Sequence, residues 1–244
     1  MSAILRDRLI VALDMPDLDA AAAQVDRLGD GILWYKVGLQ LFCASGRSAV
    51  ETIAGRGKKI FLDLKLHDIP ATVEKAIRAL DGLPVSLLTV HASGGPKMLE
   101  AAASAARSID SRPTVLGVTV LTSLDGNELP GVWDPGTDLE GKVLALARLC
   151  ADAGVGGVVA SPRELSALRR EHAAPFRIVT PGIRGPEDRA HDQKRTLSIG
   201  EAFALGADHI VVGRPLLEAS DPKAVLASYE AAAGLHSSSE RMIG

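Results

Sequence analysis

The 244-residue chain has little of several features that define common protein classes. Its two cysteines, Cys43 and Cys150, have no CxxC spacing, which argues against a disulfide framework or a zinc site and favours a reducing compartment. The net charge is only -3, so no general attraction to nucleic acid or acidic membranes is expected. No apolar run reaches about 18 residues, and the first residues are too charged for a signal peptide. The sequence therefore predicts a cytoplasmic protein that binds neither nucleic acid nor membrane.

The glycine-rich nucleotide motifs are missing too, since neither GxGxxG nor a P-loop occurs. What the chain does have is repetition: short apolar runs rich in β-branched residues alternate with Ala-rich segments of helical spacing. The predicted strands are residues 9–13, 32–38, 59–65, 85–91, 114–120, 156–160, 177–180 and 209–213. The clearest predicted helices are residues 18–28, 71–80, 98–109, 142–154 and 199–207.

This rhythm predicts an α/β protein with a single (β/α)8 TIM barrel, because eight strand–helix units fit a closed barrel better than an open sheet. An open doubly wound sheet is the alternative, since short strands are easily miscounted. We predict one domain over residues 1–244, with a frayed tail over about 235–244. The longest connection, residues 121–141, is rich in Gly, Pro and Asp, and we interpret it as an active-site loop.

Polar residues gather where the predicted strands end, which is the face on which barrel enzymes carry their sites. The segment FLDLKLHDIPATV places Asp63 and Lys65 on one face of strand three, and Lys36 on the neighbouring strand is expected to join them. Asp68 is expected to begin the following helix. The alternative is a structural ion-pair network, although such networks are often no more stabilising than apolar packing.

An array of lysines and carboxylates indicates a particular chemistry. Opposite charges nearby favour the protonated form of a lysine, so Lys65 is expected to donate a proton. A carboxylate such as Asp63 repels a substrate anion placed beside it, and departure of that anion as CO₂ would relieve the repulsion. His67 and His91 have no third ligand at zinc spacing, so no metal site is predicted.

A second group of residues suits a phosphate. Gly213 and Arg214 follow strand eight and precede a helix, where backbone N–H groups and a guanidinium favour an anion. Barrels commonly bind phosphate after strands seven and eight. The loop at 184–195 adds Arg184, Arg189, Gln193, Lys194 and Arg195. The alternative for this loop is an ordinary solvated, charged surface.

The segment FLDLKLHDIPATV resembles the signature of the orotidine 5′-monophosphate decarboxylase family. The resemblance covers nearly the whole chain through LIVALD, WYKVGLQLF, TVHASGG, VTVLTS, VTPGIR, DQKR and IVVGRP. Sugar-phosphate relatives share the Asp-x-Lys-x-x-Asp pattern but lack HDIP and the later motifs. The resemblance implies conversion of orotidine 5′-monophosphate to UMP and CO₂, the last step of de novo UMP synthesis, without a cofactor or metal.

The resemblance also implies roles for individual residues. Lys65 would protonate C6, Asp63 would lie against the leaving carboxylate, and Asp68 would enter the partner's site across a homodimer. Asp14 and Lys36, with Thr72 nearby, would hold the ribose hydroxyls. The 5′-phosphate would be held by Arg184, Gln193, Gly213 and Arg214. Thr122 matches the loop that reads the pyrimidine edge, and beyond it Ser123 and Asp125 remain open.

Two other functions remain as alternatives. One is a 3-keto-gulonate-6-phosphate decarboxylase or hexulose-phosphate synthase of the same superfamily, which typically needs Mg²⁺ and would fail in EDTA. The other is a nucleotide-sensing module on a barrel that has lost its activity. The intact set of Lys36, Asp63, Lys65 and Asp68 argues against the second alternative.

Overall fold

A computed structural model describes residues 3–124, 138–183 and 197–234. Eight parallel strands close into a barrel in chain order, with the last strand pairing with the first. The strands are β1 (Leu9–Ala12), β2 (Trp34–Gly38), β3 (Lys59–Leu66), β4 (Val85–His91), β5 (Thr114–Val118), β6 (Gly157–Val159), β7 (Arg177–Pro181) and β8 (His209–Val212). The prediction of a (β/α)8 barrel is confirmed, and the open doubly wound sheet is wrong.

Helices surround the strands. In the described ranges they are α1 (Ala3–Arg8), α2 (Leu18–Leu28), α3 (Leu39–Ser45), α4 (Arg47–Ala54), α5 (Pro70–Arg78), α6 (Pro96–Ser108), α7 (Leu139–Asp152), α8 (Leu165–Glu171), α9 (Ile199–Ala204), α10 (Arg214–Leu217) and α11 (Pro222–Ala232). None of them is long and apolar enough to cross a membrane. The predicted frayed tail at 235–244 lies outside the described residues.

Helix ends follow local sequence signals. Asp17 caps α2 by accepting a hydrogen bond from the backbone N–H of Ala20 at 2.8 Å. At the start of α9, Ser198 and Glu201 form a reciprocal capping box. Both caps satisfy N–H groups that have no partner within the helix, and so fix where each helix begins.

Alternation along the strands divides the apolar residues into two cores. The side chains that point into the barrel form the inner core, which consists of Ile10, Ala12, Trp34, Phe61, Leu87, Leu116, Val179 and Val211. Their neighbours pack beneath the helices in a larger outer core. Four inner-core residues are followed, two positions later along the chain, by a polar residue at the next inward position. These polar residues are Asp14, Lys36, Asp63 and Thr89. The alternation that fills the barrel therefore also delivers polar groups to its mouth.

Arginines hold together the opposite end of the barrel, where the strands begin. Arg169 Nη2 donates to the Asp208 carboxylate at 2.6 Å. Its guanidinium also donates to three backbone carbonyls, those of His172, Phe176 and Gly206. Arg8 donates to the carbonyls of Ala207 and Asp208. These bonds tie α1, α8 and the segment before β8 into one unit.

His209 lies at the same end and is buried. Its ring packs edge-on against Trp34, with the ring centroids 4.9 Å apart. Burial lowers the pKa of His209 to about 4, and the charge of Arg177 adds to the effect. His209 Nδ1 has no hydrogen-bond partner within the described parts of the chain. The folded protein therefore holds this imidazole in its neutral form at pH 7.

The two cysteines occupy different environments. Cys150 on α7 is fully buried against Gly117 of β5, where a methyl group in place of the glycine hydrogen would overlap the sulfur. Burial raises the pKa of the Cys150 thiol to about 12. Cys43 on α3 is exposed.

Candidate active site

A cavity of about 640 Å³ opens where the strands end. One wall is charged and comes from β1 to β3, with Asp14, Lys36, Asp63 and Lys65. A second wall is apolar and consists of Val118, Val120, Leu121 and Val159. The third part follows β7 and β8 and includes Pro181–Ile183 and Gly213–Pro215. The cavity lies at the predicted end of the barrel.

The charged wall is a row in which the signs alternate. Asp14 Oδ1 lies 2.9 Å from Lys36 Nζ, Lys36 Nζ lies 3.7 Å from Asp63 Oδ2, and Asp63 Oδ2 lies 2.7 Å from Lys65 Nζ. Asp63 is 7% exposed, so its charge needs close partners to be tolerated, and two ammonium groups supply them. The structure thus brings Lys36, Asp63 and Lys65 together, as the pattern of strand three indicated.

The backbone of β3 is irregular at this row. Its pairing with β4 shifts register between Leu62 and Leu66, and Lys65 has a φ of 50°, which is uncommon for a residue other than glycine. Thr89 of β4 accepts a hydrogen bond from the Lys65 N–H at 2.9 Å and donates one to Asp63 Oδ1 at 2.9 Å. Sequence reasoning missed Thr89. Its signal is a hydroxyl at the inward position that follows Leu87 of the inner core.

Gly38 is a second residue that the sequence analysis missed. A Cβ at this position would stand 2.8 Å from Lys36 Nζ and 3.2 Å from Asp14 Oδ1. A side chain would therefore displace the ion pair that these two groups form. The glycine at the end of β2 leaves room for the charged wall.

The predicted phosphate residues are placed in part. Gly213 and Arg214 line the cavity after β8, and Arg214 is the exposed first residue of α10. Because β8 pairs with β1, this region adjoins Asp14. The remaining predicted residues, Arg184, Arg189, Gln193, Lys194 and Arg195, lie outside the described residues.

The loop predicted to read a pyrimidine is also described only at its start. Thr122 lines the cavity next to Leu121 and Val120. Asp125, which the sequence left open together with Ser123, lies outside the described residues. The described structure therefore places Thr122 at the apolar wall.

Asp68 and Thr72 do not line the cavity of their own chain. Every residue from 67 to 72 is exposed, including Ile69 at 66%. The prediction that Asp68 begins the next helix is wrong, because α5 begins at Pro70 with Ile69 at the cap position. Asp68 Oδ1 instead accepts the Ile69 N–H at 2.6 Å. Proline is favoured at the first helical position because its fixed φ suits a helix, so Pro70 marks the start of α5.

Two histidines lie beside the charged wall. The ring centroids of His67 and His91 are 5.2 Å apart. The pKa of the half-buried His91 is lowered, first by burial and then by the charges of His67 and Lys65. Among the described residues, no group of three or more His, Cys, Asp or Glu side chains could hold a metal ion.

Fold and cavity together define a (β/α)8 barrel with a charged cavity at the C-terminal end of its strands, where enzymes of this fold carry their active sites. A sequence model described as the "Orotidine 5'-phosphate decarboxylase / HUMPS family" matches residues 7–229. The chain belongs to this family.

Individual relatives agree with the family match. The orotidine 5'-phosphate decarboxylase of Moorella thermoacetica is 46% identical over 224 residues, which cover 90% of this chain and 89% of the relative. That of Rhodopseudomonas palustris is 48% identical, covering 89% and 91%. A crystal structure of orotidine 5'-phosphate decarboxylase from Lactobacillus acidophilus superposes with a TM-score of 0.79 at 36% identity, covering 94% and 99%.

Proposed function

We propose that the chain decarboxylates orotidine 5′-monophosphate to UMP and CO₂, the last step of de novo UMP biosynthesis. Its family and the names of its relatives support this reaction. The observation that carries the proposal is the contact between Lys65 Nζ and Asp63 Oδ2, 2.7 Å, at the wall of a cavity. It sets a proton donor beside a buried negative charge.

The reaction follows from this pair. The substrate carboxylate would lie against Asp63, and two like charges about 4 Å apart repel by about 4 kcal/mol at an effective dielectric constant near 20. Cleavage of the bond between C6 and the carboxylate releases CO₂ and leaves the electron pair on C6. Lys65 then transfers a proton from Nζ to C6, and the neutral amine regains a proton from water. No electron acceptor is needed, because the pair stays on carbon.

Other cavity residues would bind the substrate away from the reacting atoms. Asp14 accepts and Lys36 donates hydrogen bonds, so together they suit the ribose hydroxyls. Gly213 and Arg214, with Arg184 and Gln193 from the neighbouring loop, would hold the 5′-phosphate. Thr122 would contact the pyrimidine from the apolar wall.

We further propose that the active unit is a homodimer in which Asp68 enters the partner's site. Both Asp68 and Thr72 lie on the exposed stretch 67–72 and outside their own cavity. Two exposed apolar side chains, Ile69 of this stretch at 66% and Leu39 at the start of α3 at 52%, are suited to burial between subunits. A two-fold dimer would exchange the stretch reciprocally and complete two sites. Thr72 would follow Asp68 into the partner's ribose site.

Mixing two inactive variants tests the shared site. Asp68→Ala and Lys65→Ala homodimers should each be nearly inactive, but their heterodimer has one site free of both defects. An equilibrated equal mixture should reach about a quarter of wild-type activity, because half the dimers are mixed and each has one good site. A mixture of Lys65→Ala and Asp63→Ala is the control: both residues serve their own chain, so no recovery is expected. Equal behaviour of the two mixtures after confirmed exchange would place Asp68 in its own site.

The reaction itself is tested by the loss of orotidine 5′-monophosphate absorbance with purified protein in EDTA. Full activity in EDTA supports the proposal. Activity that appears only with Mg²⁺ and only on a sugar phosphate would identify the other activity that the sequence left open. Ligand binding without turnover would instead identify a nucleotide-sensing protein. A cytoplasmic location and the absence of a cofactor stay predictions of the sequence.

A further inference from the structure

The hydroxyl of Thr89 makes two hydrogen bonds at the charged wall. The residue is fully buried, and its Oγ1 accepts the Lys65 N–H at 2.9 Å. The hydroxyl donates its proton to Asp63 Oδ1, also at 2.9 Å. One oxygen therefore fixes both the rotamer of the Asp63 carboxylate and the backbone of the lysine that contacts it.

The backbone around Lys65 lacks regular strand pairing. The pairing of β3 with β4 is interrupted between Leu62 and Leu66, and Lys65 adopts a left-handed φ of 50°. A side chain replaces the missing ladder partner of the Lys65 N–H. Such conformations cost energy in residues other than glycine and persist only where the surroundings enforce them.

We propose that Thr89 is a positioning residue for the reaction: it holds Lys65 in this backbone conformation and Asp63 in this rotamer, so that Nζ meets Oδ2. The inference rests on the proposed role of Lys65 as the proton donor. Thr89 Oγ1 contacts Asp63 through Oδ1, whereas Lys65 Nζ contacts Oδ2, so the hydroxyl acts from the side opposite to the ammonium group.

A second buried threonine, Thr180, provides the control for a purely structural role of Thr89. Thr180 on β7 is equally buried, and its hydroxyl has no hydrogen-bond partner within the described residues. Replacing either threonine by valine keeps the shape and removes the hydroxyl. At Thr89 the change leaves a half-buried N–H and a buried carboxylate oxygen without their partner, whereas at Thr180 it breaks no bond that the structure shows.

The test compares Thr89→Val, Thr89→Ser and Thr180→Val in steady-state kinetics on orotidine 5′-monophosphate, with the thermal midpoint of each. We expect Thr89→Val to lower kcat about 10- to 100-fold, because small displacements of reacting groups have effects of this size. KM should change less, since the phosphate and ribose contacts remain. Thr89→Ser restores the hydroxyl and should recover most of kcat. Thr180→Val should behave as wild type.

Each other outcome overturns the inference. A normal kcat in Thr89→Val, whatever its thermal midpoint, would show that the hydroxyl does not position the pair. Equal losses in the Ser and Val variants would show that the hydroxyl by itself does not restore kcat, and that the packing of the whole side chain controls it instead. Measuring Lys65→Ala in the same assay separates the positioning role of Thr89 from the proton-donor role of Lys65. If it is inactive while Thr89→Val is normal, only the positioning inference fails, and if Lys65→Ala is active, the role proposed for Lys65 fails first.

Discussion

The two ends of the barrel use charge in different ways. At the end where the strands begin, Arg8 and Arg169 direct most of their donors to backbone carbonyls. At the mouth, Lys36 and Lys65 contact side-chain carboxylates and face a cavity. A guanidinium that donates to backbone carbonyls cannot bind a ligand without losing hydrogen bonds that hold the fold together. An ammonium group at a cavity wall can share its donors with a ligand. The same kind of charge thus stabilises the fold at one end and stays available at the other.

The largest expected effect is the loss of kcat on replacing a lysine of the charged wall, a change that leaves the arginine network at the other end of the barrel intact. Lys65→Ala should lower kcat by at least about 10² to 10⁴, because it removes the proposed proton donor and leaves Asp63 short of a counter-charge. The variant should still fold, because Lys36 Nζ remains 3.7 Å from Asp63 Oδ2. The matched control is Lys59→Ala, which removes an exposed lysine at the other end of the same strand, 5.0 Å from the Trp34 ring centroid. A Lys65→Ala enzyme that keeps more than about a tenth of the activity would exclude Lys65 as the donor.

The reverse experiment breaks the arginine network. Arg169→Ala removes the ion pair with Asp208 and the bonds to three carbonyls, so the free energy of unfolding in urea should fall by about 3 to 4 kcal/mol. The kcat of the folded fraction should be unchanged. Arg148→Ala is the control, since its bidentate pair with Glu171, at 2.7 Å, lies on the surface and is worth at most about 1 kcal/mol. Equal losses in the two variants would contradict a special role for the network.

The buried His209, at the end where the strands begin, is expected to make the stability of the fold depend on pH. Well above its usual pKa of 6.5, the imidazole is neutral in both the folded and the unfolded chain. As pH falls from 6.5 toward 4, His209 becomes protonated in the unfolded chain but stays neutral in the folded protein. The free energy of unfolding therefore falls over this range. The full loss, reached below about pH 4, amounts to about 3 kcal/mol. In His209→Asn this part of the pH dependence should disappear, as urea unfolding at several pH values will measure. An unchanged slope would mean that other groups cause it.

The smallest expected effect concerns the phosphate end. Arg214→Ala should lower kcat/KM on the nucleotide by about 2 to 3 kcal/mol, the range for hydrogen bonds to charged groups. Turnover of the nucleoside without phosphate should hardly change, because binding energy from a remote group can assist the reacting end only when that group is present. The nucleoside is therefore the internal control. Equal losses on both substrates would assign Arg214 a structural role.

Much of this arrangement could be predicted from sequence because alternation is a local property. Phe61 and Asp63 share a face of β3, so an inward apolar residue followed by an inward carboxylate can be read directly from the letters. The barrel could be predicted because its strands are β-branched runs between helical segments. Two helices between β2 and β3, α3 and α4, were not among the clearest patterns, since each is at most eight residues long.

The rest depends on neighbours that the sequence does not reveal. Thr89 reaches Lys65 only because the pairing of β3 with β4 shifts by an irregular step, and nothing local to either strand announces that shift. The left-handed backbone of Lys65 is likewise imposed by its surroundings. Gly38 matters through space that Lys36 and Asp14 occupy, which is a tertiary fact. The placement of Asp68 was missed although the signal is local, because Pro70 marks the first residue of α5.

The contrast between the two cysteines has a practical consequence. Only a thiolate reacts with alkylating dyes, so burial keeps Cys150 inert while the exposed Cys43 is open to them. Wild-type protein can therefore be labelled at a single position without mutagenesis, and two dye colours at Cys43 would follow subunit exchange in the proposed homodimer. Once Cys43 is blocked, slow modification of Cys150 would time the openings of the closed barrel in the native state.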